Sequence, residues 1–550
     1  MLTKFQKEIV SECLKRRNGC ICVPMGTGKT VIALELIRRI GSQVPALVIC
    51  SKTLIGSWIA EVEKFYKNRL CYVVYHPSFM SKKDFESFQP MVGTDLIITT
   101  SETLSKAYNL NGIAAMFVVG TAEDRGGPFP VLVNRYQVPT QPMIRDLQQA
   151  QLAAGWFYAI QWKCLIVDEV QQYTNIDTVK CQSICSLVAR RRWMLSGTPI
   201  NEPTTERVMG YYMLIGNTSI PNCKPDVETH LRTTFTGVKD TMVVRTLKQV
   251  DFAVPECRER IITHELLREE RLVYESLKNV VTTLLETIKE HRDNITLVRE
   301  FNAYLLSMVV YLRQFLVCAL VPYATLMMNG TKTNEMSIEF QREISRLNLD
   351  LWLQDKNASR STRIVEMEKV LTSHSNERCI VFNCFRTNLK ICAHYFAEDL
   401  GRQVISIDST DSPQRRMQKI QEFEASTNGI LLLTFSLGAE GLNLQKSHVL
   451  LVADTTWNDG QIQQAIARIV RRGQSSAVCV YFFTSNTGVE QGVFNKQDDK
   501  KMVVAELLTG TVKKTIRKLN IREVMKLVID ADKNTMLLAN IRGLSLAPVR

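Results

Sequence analysis

Ala46-Leu47-Val48-Ile49-Cys50, Asp95-Leu96-Ile97-Ile98-Thr99-Thr100, Cys164-Leu165-Ile166-Val167 and Arg192-Trp193-Met194-Leu195 are short, nearly continuous apolar runs. Runs of this length without alternation predict strands buried on both faces. Helical patterns lie between several of them, so the first part of the chain reads as a parallel α/β sheet. Residues 105–160 interrupt the rhythm with a turn-rich loop, Glu123 to Pro130, and a Gln-rich stretch, and read as an insertion. From Glu265 to Arg292 and from Leu297 to Leu316 the period lengthens to that of helices, with almost no Gly or Pro. The strand rhythm returns at Arg378–Phe382, Gly429–Leu433 and His448–Val452, and residues 500–550 are basic and helix-leaning. The expected organisation is a first sheet domain over 1–260, a helical module over 261–355, a second sheet domain over 356–499 and a tail over 500–550.

Length changes this picture little, since 550 residues call for three or four domains. Charge adds something. With 68 Lys plus Arg against 55 Asp plus Glu, the net charge of +13 suits a polyanionic partner such as nucleic acid, although ordinary surface solubility gives the same sign. The 15 cysteines are scattered, often within apolar runs, and no CxxC pair occurs. Cys181 and Cys185 lack a second pair at zinc-ligand spacing. Free thiols in a reducing compartment are the expectation. The amino terminus does not read as a signal peptide, and no apolar run reaches the ~20 residues of a membrane helix. A soluble, intracellular protein without membrane contact is expected.

The chemistry begins at Gly26-Thr27-Gly28-Lys29-Thr30, which follows the apolar Cys20–Val23 and precedes the helical run Val31–Ile37. Strand, glycine loop and helix is the context that makes a phosphate-binding loop credible. Its glycines let backbone N–H groups approach phosphates at a helix N-terminus. Lys29 would neutralise β- and γ-phosphate charge, and Thr30 would ligate magnesium. Val23 stands where a strict motif has its first Gly, and the plain alternative is a glycine turn before a helix. Asp168-Glu169 follows the Cys164–Val167 run. Beside a phosphate loop, Asp168 suits magnesium and Glu169 suits activation of the attacking water. Alone, such a pair is equally a turn or a cap. Ser196-Gly197-Thr198-Pro199 follows another strand and reads as a simple turn or as a linker that senses nucleotide state.

More than four hundred residues downstream, Arg468 and Arg471 are three residues apart, so on a helix they share one face. Two adjacent guanidiniums suit the charge on a transferring γ-phosphoryl group.

These segments occur in the order found in helicase superfamily two, and the chain resembles its Swi/Snf family of DNA translocases. Phe5-Gln6 resembles an adenine-reading glutamine motif, Trp58–Glu61 a Trp-x-x-Glu segment, and Thr99–Glu102 a Thr-Tyr-Glu segment. Trp162–Asn175 is similar to the stretch ending in DEAHxxKN, and Leu195–Ile200 to LTGTPIQN. Further on, Val244-Arg245 with Val254-Pro255, Ile380–Asn383, Thr434–Gln445, Asp454 with Trp457-Asn458, and Gln464–Gln474 resemble the family's later motifs. The similarity covers roughly residues 1–500. Departures are Gln171 for the usual His, Asp459 for Pro, an Asp408-Ser409-Thr410 segment without Gly, and the 105–160 insertion.

The resemblance implies two RecA-like parallel-sheet lobes with a helical insertion between them, ATP and Mg2+ as cofactors, and double-stranded DNA as partner. The first lobe would supply Gln6, Gly26, Thr27, Gly28, Lys29, Thr30, Asp168 and Glu169, and the second Arg468 and Arg471. Thr100, Ser101, Gly438 and Asn443 would touch phosphates of the tracked strand without reading bases. For Ser101 and Asn443, local turn or cap bonding competes with that role. With the acidic pair, the lysine and both arginines present, an active ATP hydrolase is expected, acting as a monomer. The alternative is an ATPase subunit of a transcription or DNA-processing assembly, activated by a protein partner such as a transcription or replication protein. With the motifs starting at residue 5 and the core ending near residue 500, neither a bromodomain nor a chromodomain is expected within these 550 residues. A minimal member, similar to those of large DNA viruses and acting in the nucleus, a viral factory or the virion, is the expectation.

Overall fold

The computed structural model describes residues 2–110, 156–216, 237–246, 255–322, 335–354, 360–438 and 444–490, apart from a handful of positions within these spans, with a few isolated residues beyond them. Most of the expected insertion, the motif residues Asn443, Trp457 and Asn458, Arg472 and nearly all of the 500–550 tail lie outside the described residues. The chain divides between Ala253 and Val254 into two compact units.

The first unit carries strands β1 (Asn18–Cys22), β2 (Ala46–Cys50), β3 (Tyr72–Val74), β4 (Leu96–Thr100), β5 (Leu165–Asp168), β6 (Arg192–Ser196) and β7 (Met242–Val244). They form one sheet in the order β3-β4-β2-β5-β6-β1-β7, with every pairing parallel. Helices α1 (Lys4–Lys15), α2 (Lys29–Arg39), α3 (Ile55–Tyr66) and α4 (Ser101–Leu110) belong to this unit. The lack of alternation in the apolar runs has a simple cause. Leu47 and Ile49 enter the core on one face of the sheet while Val48 and Cys50 enter the core on the other.

In the second unit, β8 (Cys257–His264), β9 (Cys379–Asn383), β10 (Val404–Ser406), β11 (Ile430–Thr434), β12 (Val449–Val452) and β13 (Val478–Ser485) form a parallel sheet in the order β10-β11-β9-β12-β13-β8. Its helices include α5 (Arg268–Glu290), α6 (Ile295–Phe315), α7 (Thr362–Ser373), α8 (Phe435–Gly438) and α9 (Asp459–Ile466). On α5, Val273, Leu277, Val280 and Leu284 recur at helical spacing and pack with Leu305, Met308, Leu312 and Phe315 of α6. Buried charges join these helices to the sheet. Arg313 of α6 donates to Asp454, just after β12, at 2.9 Å, and Arg363 of α7 donates to Glu490 at 2.6 Å. Pairs this deeply buried offset desolvation only by close, multiply bonded geometry.

The expected boundary at residue 260 cuts through β8, which pairs with β13 along all eight of its residues and so belongs to the second sheet. Cys257 to Ile261 are exposed on this edge strand, so no apolar run announces it.

Candidate nucleotide site

Parallel sheets bind ligands at the carboxyl ends of their strands, and the predicted residues of the first unit gather there. In register, the last residue of β1, Cys22, pairs with Ser196 of β6, and Leu195 pairs with Asp168 of β5. The glycine loop, Ser196 and Asp168 therefore leave three adjacent strands at one level.

The loop runs from Val23 to Gly28 and opens into α2. Gly26 and Gly28 sit at φ 77° and 87°, the left-handed region that glycine adopts without strain. Gly28 is the N-cap of α2 and has no side-chain cap. The first N–H groups of the helix, with Lys29 as its first residue, thus present positive partial charge at the loop. Thr27 is buried, and its hydroxyl donates to the Pro24 carbonyl at 2.7 Å, closing the turn. Gln6 comes from the first turn of α1. Its Nε2 donates to the Thr27 carbonyl at 3.1 Å and its Oε1 accepts from Thr3 N–H at 3.1 Å. A Cβ on Gly28 would stand 2.5 Å from that Nε2. Gln6 therefore braces the loop's backbone in this structure.

Asp168 is the last residue of β5 and is 6% exposed. Its Oδ1 accepts from the Glu169 N–H and its Oδ2 from the Trp58 indole, both at 3.0 Å. Burial first, and the neighbouring Glu169 second, push its carboxyl up to about 6, while Lys29 opposes the rise. Glu169 itself has φ 52°, an uncommon conformation for a non-glycine residue. Such turns at a strand end are a recurrent feature of functional sites.

Magnesium fits this donor set. Thr30 and Asp168 offer hard oxygens, and Mg2+ takes one or two protein ligands plus substrate phosphates. Among the described residues no group of three or more His, Cys, Asp or Glu could hold a metal ion. A magnesium ion held by Thr30 and Asp168 would complete its octahedron with nucleotide phosphates and water.

A hydrogen-bonded relay leaves the site. Gln171 Nε2 donates to Glu169 Oε2 at 2.6 Å, Ser196 Oγ donates to Gln171 Oε1 at 2.6 Å, and Thr198 N–H donates to Ser196 Oγ at 2.9 Å. Gln171 is buried, so its amide can neither flip nor turn to water without stranding a partner. The departure from His thus keeps both contacts of a donor–acceptor residue. Gln171→Leu removes them at similar size. It should lower the expected rate of ATP hydrolysis about 10- to 100-fold, a charge-assisted bond being worth roughly 1.5–3 kcal/mol. Gln171→His should keep most of that rate. Steady-state assays with and without duplex check both, and an unchanged Gln171→Leu rate would remove the relay from the mechanism.

The other predicted residues divide. Thr100 is fully buried, and its hydroxyl accepts from Thr103 N–H at 3.2 Å, capping α4. Ser101 is 1% exposed, and its hydroxyl donates to Glu102 Oε2 at 3.2 Å. In the second unit, a Cβ on Gly438 would run into the Phe382 ring, and its carbonyl accepts from Arg468 Nε at 3.1 Å. Arg468 and Arg471 lie beyond helix α9, which ends at Ile466. The chain continues there through turn bonds of mixed spacing, Arg468 N to Ala465 O, Ile469 N to Ile466 O and Val470 N to Ile466 O. Arg468 is 9% exposed, while Arg471 is half-buried with its Nε on the Ala467 carbonyl at 2.7 Å. The contact of Trp58 with Asp168 was not foreseen. The Trp-x-x-Glu segment marked the residue but not its target.

Known proteins share this organisation. The SNF2-related domain matches residues 6–317 and the Helicase conserved C-terminal domain residues 362–473. The chain is 24% identical over 549 residues to "Putative helicase 172L" of Invertebrate iridescent virus 6, covering 90% of this chain and 85% of that protein. It is 21% identical to the "DNA repair and recombination protein RAD54-like" of Drosophila erecta, covering 92% of this chain and 62% of the relative. With "Chromodomain-helicase-DNA-binding protein 8" of Rattus norvegicus it shares 22% identity, over 90% of this chain and only 18% of the relative. The solved "Sulfolobus solfataricus SWI2/SNF2 ATPase core in complex with dsDNA" aligns over 94% of this chain and 98% of its own at 18% identity, with a TM-score of 0.36. With more than half of its length matched by the SNF2-related domain and a helicase C-terminal domain following, the chain belongs to the Swi/Snf family of helicase superfamily two.

Proposed function

We propose that the chain is an ATP-hydrolysing, DNA-dependent motor that moves along double-stranded DNA without reading its sequence. The observation that carries this reading is the meeting of glycine loop, Asp168 and Glu169 at adjacent strand ends, with the relay through Gln171 to Ser196. Family membership and the net charge of +13 support it.

In this reading Lys29 and the N–H groups at the start of α2 hold the β- and γ-phosphates. Thr30 and Asp168 hold Mg2+, which when bound screens the phosphate charge. Glu169 orients the attacking water and takes its proton. Arg468 and Arg471 offset the charge that develops on the transferred group. Phosphates of one DNA strand are met by the segments around Thr100, Ser101, Gly438 and Asn443.

Duplex DNA should stimulate the purified chain's ATPase more than single-stranded DNA or RNA does. Affinity for unrelated duplexes should be equal and should fall steeply with salt, with a log–log slope of about −0.9 per phosphate neutralised. Absence of stimulation by any nucleic acid would favour the second reading, an ATPase subunit switched on by a protein partner.

A further inference from the structure

Three tryptophans of the first unit are almost fully buried: Trp58, Trp162 and Trp193. Their rings serve the core, but their indole N–H groups differ. That of Trp162 donates to the Phe157 carbonyl at 2.9 Å, a local bond within the chain's own turn. That of Trp193 has no partner among the described residues. Trp58, on α3, reaches 110 residues along the chain to Asp168 Oδ2 at 3.0 Å. Its helix packs through Ile55, Trp58, Val62 and Tyr66, so the indole is fixed by core contacts on its own side.

The geometry on the carboxylate is equally specific. One oxygen of Asp168 accepts from the peptide N–H that follows it, and the other accepts from Trp58. Two donors on opposite oxygens set the plane of the carboxylate and leave each oxygen a second lone pair.

We propose that Trp58 is a positioning residue for the nucleotide-linked cation, holding the Asp168 carboxylate oriented for Mg2+. The inference rests on the reading of Asp168 as the magnesium ligand. Groups that orient a metal's ligand typically change metal affinity 10- to 100-fold when removed, without touching the metal themselves.

The test uses the full chain and a fluorescent ATP analogue, titrated with Mg2+ and also bound in EDTA. Trp58→Phe keeps an aromatic ring and removes the N–H. It should raise the Mg2+ concentration for half-maximal effect about 10- to 100-fold, with binding in EDTA unchanged. Trp162→Phe also loses a buried indole bond, so it should melt lower while keeping the wild-type Mg2+ requirement. Should Trp58→Phe fold poorly, 3-benzothienylalanine at position 58 replaces N–H by sulfur at nearly constant shape and carries the same expectation. A lower melting temperature with an unchanged Mg2+ requirement would make Trp58 a core residue only. An equal Mg2+ shift in Trp162→Phe would do the same. Asp168→Asn separates the two claims: if it leaves the Mg2+ requirement unchanged, the assignment of Asp168 fails. If it shifts that requirement and the position-58 variants do not, the role of Trp58 fails alone.

Discussion

Lys29→Ala should lower ATP hydrolysis by about 10²–10³-fold, the cost of removing one preorganised donor from developing charge, while duplex DNA binding persists. Lys29 is the first residue of α2, directly after Gly28 at φ 87°. The helix N–H groups remain in the variant, so nucleotide binding weakens rather than disappears. A second effect adds to the first. Lys29 is the cation that offsets burial and Glu169 at the Asp168 carboxyl, so its loss also disfavours the ionised ligand that magnesium needs. DNA binding should survive for a topological reason. Strand β1, which leads to Lys29, and β4, which leads to Ser101, are separated by β2, β5 and β6. Four strand spacings amount to roughly 19 Å. Steady-state ATPase assays and DNA binding by fluorescence anisotropy test both halves. Normal hydrolysis would refute the phosphate-loop assignment, and lost DNA affinity in a folded variant would place Lys29 on the DNA face.

Much of this site is legible in the residues themselves because each key group follows a buried strand. Runs such as Leu47-Val48-Ile49 and Ile380-Val381-Phe382 are apolar without alternation, since both faces of a parallel sheet are covered. The glycines before Lys29 announce a backbone that must reach φ above zero. Edge strands give no such signal. Strands β3, β7 and β10 are three residues each, and β8 is exposed from Cys257 to Ile261. The run Val478–Ser485 is a different case. It is as apolar as the strands that were predicted, yet it escapes a reading that follows motif order, and it becomes evident only through its pairing between β12 and β8. Periodicity also misleads after Ile466. Burying Ile466 and Ile469 satisfies either 3.6 or 3.0 residues per turn, so the pattern cannot reveal where α-helical bonds give way to tighter ones. Long-range side-chain bonds are the least legible. Nothing in the spacing of Trp58 and Asp168, or of Gln171 and Ser196, states that they meet.

Beyond Ile466 the two arginines have different surroundings, and these decide what each does when removed. Arg471→Ala should reduce kcat by about 10³-fold, the lower end for an arginine that stabilises phosphoryl transfer. That loss corresponds to about 4 kcal/mol of transition-state stabilisation. Nucleotide affinity should stay close to wild type, because a group that acts on charge developing in the transition state contributes to turnover rather than to ground-state binding. Arg468→Ala should lose turnover as well, but for a mixed reason. Its guanidinium is buried and donates to the Gly438 carbonyl, at a point where Phe382 leaves no room for a larger residue than glycine. Removing Arg468 strands that carbonyl, so the variant should also melt at a lower temperature. Single-turnover hydrolysis, equilibrium nucleotide binding and thermal melting on both variants separate the cases. Weakened nucleotide binding with intact single-turnover chemistry in Arg471→Ala would make Arg471 a phosphate binder. A wild-type melting temperature for Arg468→Ala would mean that Arg468 bears no structural load. An Arg468→Lys variant sharpens the contrast. It keeps the charge but loses the planar fork, so it should recover melting temperature in part and turnover hardly at all.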